Sequence, residues 1–211
     1  NGGPWGHYAT EVTRLLNAMG VTVIGQFPGY MKLEDLPKVT SAEAMVVLGG
    51  KGNTHNGLEN LTKVLQEKFG FKYLQDIYPV GWERTQQWIL EMGKLLNCEV
   101  QAQAVLAAEQ LAMEKSLERF LKVTKDKKTT LCIGRWLMYF HPESMLGVVK
   151  NLQLDLRGIV LLDALEAGYF EEMVATLRKY TDVPICSNLD GEKLLQEADV
   201  VLTTHELQDK N

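Results

Sequence analysis

The chain has 211 residues, 45% hydrophobic and 23% charged, enough to bury a large core without disulfides. A net charge of −5 with no long basic run excludes the electrostatic footprint of a nucleic-acid binder, and no apolar run approaches the length of a membrane span. The three cysteines, Cys98, Cys132 and Cys186, are scattered and never spaced C-x-x-C. That argues against a sequence-local zinc or cluster site and suits a reducing, cytoplasmic setting.

Along the chain, Tyr8, Val12, Leu15, Leu16 and Met19 share one helical face, and Gly20 stands where a helix C-cap is wanted. A β-rich strand follows over 21–27, ended by Pro28-Gly29. A short helix is expected over 33–36, before Pro37, and then a short, fully apolar strand over 44–48 of the kind buried on both faces. Leu58, Leu61, Val64, Leu65 and Phe69 mark a second amphipathic helix, closed by Gly70, with a strand over 71–74. Pro79-Val80-Gly81 makes a turn, and Thr85, Trp88, Ile89, Met92 and Leu96 mark a third helix. From 94 to 133 there is neither Gly nor Pro, and 99–123 reads as one long helix rich in Ala, Leu, Glu and Gln.

The charged run 125–128 breaks that helix and is the expected boundary between two domains, 1–126 and 127–211. Beyond it the alternation restarts, with strands over 130–133, 158–162, 183–186 and 200–203 and helices over 142–151, 169–180 and 191–197. Strands alternating with helices predict an α/β protein of two doubly wound, Rossmann-like units with parallel sheets, joined by the long helix. The chain opens at Asn1-Gly2-Gly3 and stops just after a strand, so it is expected to be an internal piece of something longer.

In open parallel sheets ligands bind beyond the carboxyl ends of the strands. Four such places stand out. The loop at 49–55 carries Gly49, Gly50, Gly52, Asn53, Thr54 and His55. Its glycines allow close backbone approach and the next helix N-terminus favours an anion, but the spacing is neither GxGxxG nor GxxxxGK[ST]. It reads either as a strand-to-helix turn or as a ligand-facing loop. Gly134-Arg135-Trp136 follows the strand at 130–133; Arg135 is either a clamp for a carboxylate or phosphate, or a solvated arginine. Asp163 and Glu166 offer paired carboxylates, which equally suit the start of a helix. Thr203-Thr204-His205 ends the last strand as a rim segment or a polar loop. Cys132 and Cys186 sit in apolar strands as small core residues, and no metal-ligand spacing is visible.

Three features occur in order over 44–96. Met45-Val46-Val47-Leu48-Gly49-Gly50 is a strand ending in glycines, and Glu67-Lys68-Phe69-Gly70-Phe71 closes a helix into a strand. Tyr78-Pro79-Val80-Gly81-Trp82-Glu83-Arg84-Thr85 is a Pro-x-Gly-x-x-x-Thr turn opening the next helix. With the long helix, Leu131-Cys132-Ile133-Gly134-Arg135, and Asp199-Val200-Val201-Leu202-Thr203, this ordered set resembles the nitrogenase component 1 family over most of the chain.

The resemblance implies three Rossmann-like domains around a cluster or substrate cavity, of which this chain spans the second and most of the third. It also implies electrons from an ATP-dependent iron–sulfur reductase, a homologous component 1 subunit as partner, and a role in nitrogen fixation, cofactor biosynthesis or tetrapyrrole reduction. By resemblance, Gly134 and Arg135 fall where family members place a loop near the cofactor. Cofactor-bearing members carry a cysteine in the loop that corresponds to 49–56, whereas this chain has Thr54 and His55 there and none. No cofactor or metal is therefore expected in this stretch, and an iron–sulfur cluster or other metallocofactor would belong to the full-length protein. Three functions compete: a component 1-type oxidoreductase, a non-catalytic scaffold for cofactor assembly, and a two-lobed module binding a metal chelate or other small ligand.

Overall fold

The computed structural model describes residues 4–26, 31–47, 53–75, 77–134, 142–162 and 168–203, with backbone alone at 4–9, 53–59, 143 and 169. The chain forms two compact units, Asn1–Ala112 and Met113–Asn211.

The first unit holds α1 (Pro4–Ala18), a 3-10 turn (Leu33–Asp35), α2 (Leu36–Val39), α3 (Asn53–Phe69), α4 (Trp82–Leu95) and the first half of α5 (Glu99–Thr124). Val12, Leu15, Leu16 and Met19 bury the apolar stripe of α1 against Trp88, Ile89 and Met92 of α4 and Ala102 and Val105 of α5. Helix α1 ends in a Schellman cap. Gly20 is left-handed at φ 79°, its N–H donates to the Asn17 carbonyl, and the Val21 N–H donates to that of Leu16. The same cap ends α4, with Asn97 at φ 54° and the Cys98 N–H on the Gly93 carbonyl. Gly93 lets α5 come close, since a Cβ there would lie 2.5 Å from that of Ala102.

Two expectations change here. Pro37 does not end the short helix; it sits in the first turn of α2, where its missing N–H costs nothing. The strands expected over 21–27, 44–48 and 71–74 build no ladder among the described residues; Phe27 and Leu48 lie outside them. A single parallel bridge joins Ala44 to Lys72, where the Met45 N–H donates to the Lys72 carbonyl and the Lys72 N–H to that of Glu43. Ladder pairing needs backbones about 4.8 Å apart. Residues 21–26 and 42–47 both line a cavity of about 750 Å³ in this unit.

The second unit is a four-stranded parallel sheet: β1 (Lys128–Ile133), β2 (Asp155–Leu161), β3 (Ile185–Ser187) and β4 (Val200–Thr203), in the order β3-β2-β1-β4. Helices α6 (Pro142–Asn151), α7 (Tyr169–Leu177) and α8 (Glu192–Gln196) connect them. The pleat divides the helices. Leu131, Ile133, Ile159 and Leu161 face α6 and α7 through Leu146, Met173 and Leu177. On the opposite face α8 lies against Gly158, where a Cβ would come 2.5 Å from Leu194 Cδ1. The Thr130 hydroxyl donates to the Leu194 carbonyl at 2.8 Å on that same side. Helices on both faces make this a doubly wound unit.

Candidate functional site

In the order β3-β2-β1-β4 the chain steps from β1 to β2 to β3 in one direction, then returns to place β4 on the other side of β1. In open sheets of this order, the reversal between β1 and β4 marks the place where ligands bind beyond the carboxyl ends of the strands. Cys132 pairs with Thr203 at the end of that seam, and Gly134, which is buried, follows the last residue of β1. On the other side of β1 the seam is closed, because the Leu162 N–H donates to the Ile133 carbonyl at 2.8 Å.

Of the residues singled out in the sequence, Gly134 and Thr203 therefore stand together at the switch point. Arg135, Trp136, Asp163, Glu166, Thr204 and His205 lie outside the described residues, as do Gly49, Gly50 and Gly52. Asn53, Thr54 and His55 form the first turn of α3 in the first unit.

No sequence motif pointed to Ser187, which ends β3, or to Asp190 just beyond it. The Ser187 hydroxyl donates to the Asp190 carboxylate at 2.8 Å, and the Asp190 N–H returns to the Ser187 carbonyl. The pair closes a turn at the far edge of the sheet, two strands from the switch point. Its only signal was a serine three residues before an aspartate after a strand. The turn motif fares better. Gly81 takes φ 79° as the N-cap of α4, and the Thr85 hydroxyl and N–H both reach back to its carbonyl, at 2.8 and 2.9 Å. Pro-x-Gly-x-x-x-Thr is thus a helix-entry device, with Tyr78 and Pro79 buried ahead of it.

Cys98 and Cys132 are not poised as nucleophiles. Burial pushes the Cys132 thiol up, and burial with the nearby Glu99 charge does the same for Cys98. Among the described residues no three His, Cys, Asp or Glu side chains come together as a metal site. The described residues thus do not fit a cluster-holding set. No helix among them is long and apolar enough to cross a membrane.

The family model for nitrogenase component 1 type oxidoreductase matches residues 3–208. The chain belongs to that family. Among solved structures, this nitrogenase component 1-type chain is similar to nitrogenase Cp1 at pH 5, at 17% identity and a TM-score of 0.56 over 84% of this chain and 32% of that one. Nitrogenase Cp1 at pH 6.5 is similar at 16% identity and a TM-score of 0.56, over 90% and 38%. The component 1-type chain therefore spans about a third of the length of those proteins, and shares with them the α/β fold expected from its sequence. No curated protein matches it significantly in sequence.

Proposed function

We propose that this chain supplies one wall of the substrate or cofactor cavity in a longer component 1-type oxidoreductase, which takes electrons from an ATP-dependent iron–sulfur reductase and reduces a bound substrate. The observation that carries the reading is Gly134. It follows the central strand at the switch point of a doubly wound unit, in a chain that matches the family over 3–208. A glycine there lets a ligand approach the backbone, and Arg135 beside it supplies a fixed positive charge for a carboxylate or phosphate group. Gly49, Gly50 and Gly52, with Asn53, Thr54 and His55, are the candidate ligand-binding residues of the other domain, which runs over 1–126. The domain bearing Gly134 runs over 127–211. The partner is a homologous component 1 subunit, the site of action the cytoplasm, and any iron–sulfur cluster or metallocofactor is carried by the full-length protein.

The test is the full-length protein purified without oxygen. Stoichiometric iron and sulfide, with substrate reduction that depends on reductase and ATP and falls at least about tenfold in Arg135→Gln, supports the reading. Full activity in that variant removes Arg135 from the cavity. Turnover by the 211-residue chain alone would overturn the requirement for a larger site.

One observation favours a second reading, a scaffold that holds a cofactor precursor without turning it over: no cysteine occurs between Leu48 and Asn56. A full-length protein that binds a metallocofactor yet shows no reductase-dependent turnover would select it.

A further inference from the structure

Basic side chains over much of this chain sit against carboxylates. Arg14 bonds Glu11 and Glu109, Lys38 bonds Asp35, Lys72 bonds Glu43, Lys94 bonds Glu91 and Arg157 bonds Asp155. One stretch of the second unit departs from this. Residues 119–128 carry five basic residues against one acid, Asp126, in a chain of net charge −5. The side chains of Arg119, Lys122, Lys125, Lys127 and Lys128 make no hydrogen bond or ion pair among the described residues.

Two large apolar side chains stand among these charges. Phe120 is 54% exposed and Val123 65%, and neither belongs to a core. At a spacing of three they are neighbours on the surface of α5, and Arg119 and Lys122 are neighbours beside them. The end of a helix attracts cations, which accounts for Lys122 and Lys125. It accounts neither for Lys127 and Lys128, past the helix where β1 begins, nor for an exposed phenylalanine.

The backbone under these side chains is pinned. The Asp126 N–H donates to the Gln153 carbonyl and the Asp155 N–H to that of Lys127, both at 2.9 Å. The Thr124 hydroxyl donates to the Leu152 carbonyl at 2.8 Å, and the Lys128 N–H to the Asp199 carboxylate at 3.0 Å. Long, uncommitted side chains therefore stand on a fixed backbone, and little beyond their own rotamers is ordered when something binds.

The charge asymmetry says what binds. Unpaired cations in an otherwise acidic chain attract a surface of opposite sign and turn it toward themselves. An apolar spot ringed by charge has the layout of a protein interface, an anchor inside a polar rim. A helix lying on a membrane needs an apolar face along its length, whereas Phe120 and Val123 span a single turn.

We infer that residues 119–128 are a docking patch for a partner protein whose surface presents carboxylates around an apolar spot, with Phe120 as the anchor. The patch lies at the amino end of β1, about 20 Å from Gly134 past the other end, so it stands apart from the cavity proposed above. With two exposed apolar residues it makes a small interface, transient and sensitive to salt.

The probe is a short fluorescent peptide of glutamates around a central leucine and phenylalanine, followed by anisotropy. The 211-residue chain should bind it at about 50 mM salt, and about tenfold more weakly at about 300 mM. The triple variant Lys122→Gln, Lys125→Gln, Lys127→Gln, and separately Phe120→Ala, should each weaken binding at least about fivefold with an unchanged circular dichroism spectrum. Lys68→Gln with Lys179→Gln, outside the patch, should leave it within about twofold. Equal losses in that control pair would reduce the binding to net charge and overturn the inference. So would no binding at low salt, undiminished affinity in Phe120→Ala, or tighter binding to phosphatidylserine vesicles or single-stranded DNA than to the peptide.

Discussion

Arg14 on α1 grips Glu109 on α5 with both terminal nitrogens, at 2.7 and 2.8 Å, across 95 residues of sequence. Its third donor bonds Glu11 one turn back, which fixes the guanidinium in the plane of the Glu109 carboxylate. The Arg14 side chain is 46% exposed, so solvent screening limits the worth of the pair to about 1 kcal/mol despite the bidentate geometry. Glu109→Gln should lower the melting temperature by about 2–4 °C. The hydrogen bonds from Arg14 hold the Glu109 carboxyl below the usual carboxylate range, against a smaller opposing effect of burial. A depressed folded value means the contribution is full above the ordinary glutamate pKa of about 4.3 and is lost as pH falls through the folded value. Melting curves of wild type and Glu109→Gln should therefore converge in acid; a constant gap down to the lowest pH would reject the ion pair as its source.

Thr130 is fully buried in β1 and its hydroxyl donates to the Leu194 carbonyl in α8. Thr130→Val keeps the shape, strands that carbonyl, and should cost about 1–3 kcal/mol in urea unfolding. Gly191→Ala tests the same contact by volume. The new Cβ would come 2.6 Å from Val160 Cγ2 and 3.1 Å from the Ser187 carbonyl, and Val160 has no room to yield, so a loss of about 1–3 kcal/mol is expected. Unchanged midpoints in both variants would mean α8 is not docked on β2.

Gln153 ends α6 in a left-handed conformation at φ 51°, with its N–H on the Lys150 carbonyl and that of Leu154 on Val149. This is the same cap that Gly20 makes on α1, occupied by a residue with a Cβ. Gln153→Gly should remove a strain of about 1–2 kcal/mol, partly offset by the greater freedom of glycine in the unfolded chain. The net expectation is a gain of about 0.5–1 kcal/mol, read as a higher urea midpoint at unchanged slope.

The thiols of Cys98 and Cys132 should both alkylate more slowly at pH 7.5 than a free cysteine, as followed by mass spectrometry with iodoacetamide. Burial raises both, and Cys132, 1% exposed, should react only as the second unit opens. Raised values favour the protonated form in the folded chain, so their contribution to stability is intact below the ordinary thiol value and lost as pH rises through the raised folded one. Rapid labelling of native Cys132 would contradict the packing of β1.

Periodicity read well wherever the partner of an element lay close in sequence or was a helix. The stripe on α1, the run from Trp88 to Met92 and the long α5 were all legible because 3.6-residue spacing reports burial directly. Strand ends were less so. β2 begins at Asp155, earlier than its apolar run, because Asp155, Leu156 and Arg157 meet the partly exposed amino end of the sheet. β3 begins at Ile185, since Pro184 has no N–H to give and serves only as the acceptor for Ile159. The segments 21–27, 44–48 and 71–74 of the first unit looked like strands because their composition is that of strands; what composition does not report is whether a neighbour is present. Of the candidate site, Gly134 was readable as a strand-ending glycine, whereas its position at the switch point depends on β4 returning to the far side of β1, which no local pattern encodes.

That return has a bearing on how the second unit is made. The Lys128 N–H is held by the Asp199 carboxylate, 71 positions later, at the mouth of the β1–β4 pairing. While the ribosome has released only the first three strands, β1 keeps one flank bare, and the loop that must close to cover it is the longest in the unit. Emergence of Val200 to Thr203 is thus the committing event, and an arrest before it leaves a sticky nascent domain for chaperones to shield.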